Sequence, residues 1–148
     1  MNAVTVSVEV SRSRQEAFDY VDVIANHEGW LKHIYKDWRF EGPQRGVGAI
    51  ARARFDAPAS REQVSFEVVE SQAPGRIVEK NESAHGKRQT RGTYRFAELE
   101  GGRTRIEYET EWLKTPRTER IAPVVSRAFM ARTNGKSMKR LAALLEKS

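Results

Sequence analysis

QTRGTYRFAELEGGRTRIEYETEW, residues 89–112, reads as two alternating runs joined by Glu100-Gly101-Gly102. A three-residue hairpin loop centred on Gly101 sets Phe96 opposite Ile106 and Tyr94 opposite Tyr108 on one side of the strand pair. Arg95 then meets Glu107, and Arg91 meets Glu111, on the other side. A two-residue loop would slip the register by one and set apolar side chains beside charged ones, so the parity of the two runs selects the longer loop. The row Glu107, Glu109, Glu111 resembles a carboxylate site by letters alone. In this register it is an outer face of cross-strand ion pairs.

Outward from the hairpin, the remaining patterns fall into order. Val4, Val6, Val8 and Val10 alternate with Thr5, Ser7 and Glu9, a half-buried strand. Ser13-Arg14-Gln15-Glu16 has the form of a capping box, and Phe18, Val21, Ile24 and Ala25 give the helix that follows one apolar face. Asn26 to Gly29 interrupts it; Trp30, Leu31 and Ile34 suit a second short helix, and Gly42-Pro43 marks a turn. Strand alternation resumes at Ala49–Phe55, at Val64–Val68 and, past the Ala73-Pro74-Gly75 turn, at Ile77–Asn81. After the hairpin, Ile121, Val124, Ala128, Ala131, Gly135, Met138, Ala142 and Leu145 recur at three-four spacing, which predicts one long helix over residues 117–147. That seam is large at its ends and small in the middle. Beside a sheet, such a seam means close approach or a hollow. With no repeat or linker, residues 1–148 form a single expected domain.

Composition narrows the function classes. The chain has 148 residues, 39% hydrophobic and 31% charged, values ordinary for a globular domain. It contains no cysteine, which removes thiolate nucleophiles, disulfides and thiolate metal sites. No apolar run approaches the roughly 18 residues of a membrane span. MNAVTVSVEV lacks the features of a signal peptide, so a cytoplasmic location is expected. The net charge of +6 is uneven: residues 113–148 carry nine Lys/Arg against Glu119 and Glu146, while residues 1–112 carry 17 against 18 acids. A basic C-terminal helix could meet an acidic partner. No recognised nucleic-acid module accompanies it, and no DNA binding is expected.

These pieces in this order resemble a known family. Glu16-Ala17-Phe18-Asp19-Tyr20-Val21-Asp22, Asn26-His27-Glu28-Gly29-Trp30, Gly46-Val47-Gly48, Val68-Val69-Glu70 with Pro74-Gly75-Arg76-Ile77, and Gly102-Arg103-Thr104-Arg105-Ile106 are similar to the START-related superfamily. Within it they resemble the polyketide cyclase/dehydrase and lipid-transport group. The resemblance implies an α+β helix-grip fold: a curved antiparallel sheet wrapped around a long C-terminal helix, with two short helices after the first strand. It also implies an apolar cavity between sheet and helix, used by some members for cyclisation or dehydration and by others to carry a lipid, quinone or similar molecule. The family's motifs specify the fold and not the reaction.

The candidate site follows from both readings. DVIANHEGWLKHIYKDW, residues 22–38, is dense in histidine and tryptophan, but His27 and His33 stand six apart and diverge on a helix. No third ligand stands at metal spacing, His85 lies in a polar turn, and no metal or organic cofactor is expected. The family resemblance implies that the Asn26–Trp30 segment is a short helix near one end of the cavity, so the stretch reads as a rim, with Trp30 as a wall. Gly46-Val47-Gly48 precedes a strand and so is no nucleotide loop. Ser65, Ser83 and Ser126 lack a nucleophile elbow. By strand parity Thr90, Tyr94, Tyr108, Thr110 and Trp112 share the apolar face, with Asn81 across a neighbouring strand. The expected ligand-contacting set is Trp30, Phe55, Phe66, Asn81, Tyr94, Phe96, Tyr108 and Trp112, with Ala128, Ala131, Arg132 and Gly135 from the helix. Three functions fit: a binder of a small apolar or amphipathic molecule (a polyketide-like aromatic, quinone or lipid), a cofactor-independent polyketide cyclase, aromatase or dehydratase, or an interaction module using the basic helix.

Overall fold

In the computed structural model, which describes residues 1–148, the valine alternation becomes β1 (Val4–Val10), with Val4 and Val10 buried. α1 (Arg14–Asp22) starts at Ser13, whose hydroxyl accepts the Glu16 amide at 3.1 Å and donates to the Glu16 carboxylate at 3.0 Å. Buried Ala17, Phe18 and Val21 line its inner face. A 3-10 turn (Ile24–His27) and a single turn, α2 (Glu28–Leu31), follow.

One strand was illegible by period. β2 (Tyr35–Glu41) falls where only a short helix and a turn were expected. Asp37 takes a positive φ of 58°, and the pairing with β3 (Ile50–Phe55) jumps between Lys36 and Arg39. That bulge throws Tyr35 and Trp38 out of strict alternation and hides the strand. β4 (Gln63–Gln72), β5 (Arg76–Ser83), β6 (Arg88–Glu98) and β7 (Thr104–Lys114) complete a seven-stranded antiparallel sheet in the order β1-β7-β6-β5-β4-β3-β2.

The β6–β7 register is the one expected: Phe96 faces Ile106, Tyr94 faces Tyr108, Arg95 faces Glu107 and Arg91 faces Glu111. The ion pairs match it only partly. Arg91 reaches Glu111 at 3.7 Å, whereas Arg95 takes the diagonal partner Glu109 at 3.0 Å. Gly101 and Gly102, at φ of 73° and 72°, make the left-handed turn.

The expected long helix is split into α3 (Arg117–Arg120) and α4 (Pro123–Lys147). α4 packs on β1 and α2. Its buried residues are Asn134, Ser137, Met138, Leu141 and Leu145. The expected seam fails at its N-terminal end, where Ile121 and Val124 are 83% and 79% exposed. Toward the C-terminus the seam holds, with Met138 and Leu145 buried, but nearer the middle the inward positions are the polar Thr133, Asn134 and Ser137, which hydrophobic spacing passes over. Below α1 and the C-terminal half of α4 lies the dry core, in which Phe96 meets Phe18 edge-on with ring centres 5.5 Å apart.

Candidate functional site

A cavity of about 450 Å³ opens between the sheet and the N-terminal half of α4. This falls within the range of small-molecule pockets. Strand parity determines its floor. The bulge between Val68 and Glu70 in β4 sets the pairing with β5, and Ile77, Glu79 and Asn81 alternate on one face of β5. Glu79 lies opposite Gly92, Asn81 opposite Thr90, and Ile77 opposite Tyr94. One strand further, Tyr108 lies opposite Tyr94 and Trp112 opposite Thr90.

At its buried end these residues build a polar cluster. Glu79 is only 1% exposed. Its Oε1 accepts from the Tyr108 hydroxyl at 2.8 Å and from the Asn81 amide nitrogen at 3.3 Å. The Tyr94 and Tyr108 rings lie with centres 4.5 Å apart, and Trp30 donates its indole N–H to the Tyr94 hydroxyl at 3.3 Å. His27 is buried behind Glu79, with Nδ1 at 4.0 Å from Glu79 Oε2 and Nε2 at 2.7 Å from the Val21 carbonyl. A carbonyl oxygen only accepts, so Nε2 carries the proton and Nδ1 keeps its lone pair. Gly92 makes room for the cluster: a Cβ there would collide with the Tyr108 phenol.

Burial shapes the electrostatics. The Glu79 carboxyl is pushed up to about 7 by loss of solvent, against the stabilising hydrogen bonds from Tyr108 and Asn81. The same loss pushes His27 down to about 4, opposed by its bond to Val21. Tyr94 and Tyr108 are raised by burial first and then by the neighbouring Glu79 charge. Nearer solvent, Arg88 bridges Glu62 at 2.6 Å and Glu119 of α3, which raises its own pKa, chiefly through the Glu119 bond. On the helix side, Asn134 donates to Thr110 Oγ1 at 2.9 Å. Ser137 gives its hydroxyl proton to the Thr133 carbonyl and accepts from His33 Nε2 at 2.8 Å.

Of the expected contact residues, Trp30, Phe55, Phe66, Asn81, Tyr94, Tyr108 and Trp112 line the cavity. Phe96 does not, because it faces the core under α1. Ala128, Ala131, Arg132 and Gly135 do not line it either: Ala128 and Arg132 are exposed, and Ala131 and Gly135 are half-buried on a different stripe of α4. Residues 22–38 are also more than a rim, since Trp30 and His27 are fully enclosed at the buried end. Glu79 was missed by sequence reading, although a signal existed. Asn81 pointing inward requires Glu79, two residues earlier on the same strand, to point inward too.

The family description "Polyketide cyclase / dehydrase and lipid transport" matches residues 1–146. The chain belongs to this polyketide cyclase/dehydrase family. No curated protein matches the sequence. Among solved structures, protein CV1439 of Chromobacterium violaceum superposes with a TM-score of 0.73 at 17% identity, covering 99% of both chains. Truncated norcoclaurine synthase from Thalictrum flavum gives 0.73 at 13% identity, over 99% of this chain and 94% of that one. DynU16, from the dynemicin biosynthetic locus, gives 0.70 at 16% identity over 99% of this chain and 48% of its own. At such identities the likeness shows the fold alone. In this member of the polyketide cyclase/dehydrase family, the chemistry open to the site is hydrogen bonding to a polar ligand group and proton exchange at Glu79 Oε2. No helix is long and apolar enough to cross a membrane.

Proposed function

We propose that the chain binds a small, mostly apolar molecule between the sheet and α4, with one polar group of that molecule held against Glu79, Asn81 and Tyr108. The observation that carries this reading is the distribution of polarity in the cavity. Aromatic and aliphatic side chains form most of its wall, and an incompletely hydrogen-bonded carboxyl cluster sits at its buried end. The test is titration with a neutral apolar fluorophore, N-phenylnaphthylamine. Wild type should enhance its emission saturably. Thr133→Phe, which fills the cavity from the helix side, should abolish the enhancement. Equal binding by both would sink the proposal.

Glu79 favours a second reading, a cofactor-independent cyclase or dehydratase. A buried carboxyl with a pKa near neutrality is suited to exchange a proton with a ligand carbon or oxygen. This predicts protein-dependent exchange of α-protons for deuterium in a cavity-bound aryl ketone, lost in Glu79→Gln. Exchange at the uncatalysed rate in wild type would leave binding as the function.

A further inference from the structure

The atoms left without partners at the buried end share one chemical character. Glu79 Oε2, Asn81 Oδ1 and His27 Nδ1 have no hydrogen-bond partner, and all three are buried. The Asn81 amide nitrogen is turned to Glu79, which leaves its oxygen free. The His27 proton is committed to Val21, which leaves Nδ1 as an acceptor. With Glu79 ionised, three acceptors face no donor. With Glu79 protonated, its single proton serves at most one of the two that remain. The cluster lacks donors in either state, and unmet buried acceptors are costly.

Charge points the same way. The ionisable acids and bases lining the cavity are Glu62, Glu79, Glu119 and Arg88. Arg88 is held by Glu62 and Glu119 together, so Glu79 has no cation of its own. A chain with a net charge of +6 has therefore placed an excess of carboxyl groups around this space. The Tyr108 hydroxyl and the Asn81 amide nitrogen both donate to Glu79 Oε1, so the donors this cluster does have are spent on the other carboxylate oxygen.

We propose that the natural ligand presents a protonated primary or secondary amine to Glu79 Oε2 and Asn81 Oδ1, with an aromatic or aliphatic body filling the rest of the cavity. An ammonium brings two or three donors and a positive charge to a site that lacks both. An alcohol of the same shape brings one donor and no charge. This inference rests on the cavity-binding reading above and specifies its ligand class.

The experiment is calorimetric titration of the intact protein at neutral pH with naphthylmethylamine and, separately, naphthylmethanol. The amine should bind about tenfold or more tightly than the alcohol, the size expected of a charge-assisted hydrogen bond. In Glu79→Gln the two should come within about threefold of each other, and Asn81→Leu should narrow the gap in the same direction. An alcohol that binds as tightly as the amine to wild type overturns the proposal. So does an amine preference that persists unchanged in Glu79→Gln, since surface acids would then be its source. Binding of N-phenylnaphthylamine separates the two levels. If it binds and the amine shows no advantage, the cavity reading stands and the amine falls. If neither it nor either naphthyl compound binds, both fall.

Discussion

The Tyr108 phenol lies over the Cα of Gly92, one strand away, so closely that the glycine's missing side chain is what admits it. From there the hydroxyl reaches Glu79, the residue paired with Gly92 on its other side. Gly92→Ala should therefore displace the ring and break its bond to Glu79, with a cost of about 1–3 kcal/mol in urea unfolding. Gly92 is not at a positive φ, so backbone strain contributes nothing. In a Tyr108→Ala background the same substitution should cost less than half as much. An equal cost in both backgrounds would mean that the ring is not what the methyl meets.

The pair Glu79 and His27 makes a prediction about pH. Glu79 titrates at about 7 in the fold against 4.5 for an ordinary carboxyl, so its contribution to stability is whole below pH 4.5 and lost as pH rises through 7. His27 titrates at about 4 against 6.5, so its contribution is whole above pH 6.5 and lost as pH falls through 4. Between those limits the two largely offset each other. Glu79→Gln removes one of them. The variant should gain stability from pH 4 to 6.5, stay level to pH 8, and there exceed wild type by up to about 3 kcal/mol. Denaturant melts at pH 5 and pH 8 check this. A variant less stable than wild type at pH 8 would show that Glu79 is better solvated than its position implies.

Much of this architecture was legible because one face of each central strand is mostly buried and the other mostly exposed, with Val78 and Thr93 the buried exceptions on the outer face. The hairpin register followed from parity alone. Legibility failed where function or irregularity breaks the period. The Asp37 bulge concealed β2. On α4, Met138 and Leu145 are buried as the seam requires, but Thr133, Asn134 and Ser137 occupy inward positions where apolar residues were expected, so Ala128, Ala131, Arg132 and Gly135 were assigned to a cavity they do not line. Glu79 was hidden for a related reason. A glutamate among charged neighbours on a strand is ordinarily an outward residue, and only Asn81 hinted otherwise.

On the outer face, the diagonal choice of Arg95 separates two otherwise similar glutamates. Glu109 is its partner at 3.0 Å, although Glu107 is the residue directly opposite. Glu107→Gln should leave stability unchanged within about 0.5 kcal/mol, and Glu109→Gln should cost no more than about 1 kcal/mol, because Arg95 is still 43% exposed. A loss of several kcal/mol for Glu107→Gln would mean that this face is covered.

Arg88 joins three elements that are distant in sequence. It opens β6, takes Glu62 just before β4, and takes Glu119 from α3. All three side chains are between 26% and 29% exposed, so the network is partly shielded and still screened by solvent. These residues also line the cavity, whose wall continues through Val125 and Phe129, 67% and 59% exposed near the start of α4. The guanidinium therefore ties α3 to the sheet beside the opening. Arg88→Met keeps the aliphatic stem and removes both ion pairs, which leaves two carboxylates facing each other across the gap. The expected cost is about 1–2 kcal/mol after allowance for solvent. The larger effect should be kinetic. Freed from the sheet, α3 should open more often, so N-phenylnaphthylamine should enter and leave the variant faster in stopped-flow fluorescence, with its equilibrium affinity changed much less. High salt should move wild type part of the way toward the variant, because these charges are only partly buried. Rates identical in wild type and Arg88→Met would show that the ligand passes by another route and that the Arg88 network serves stability alone.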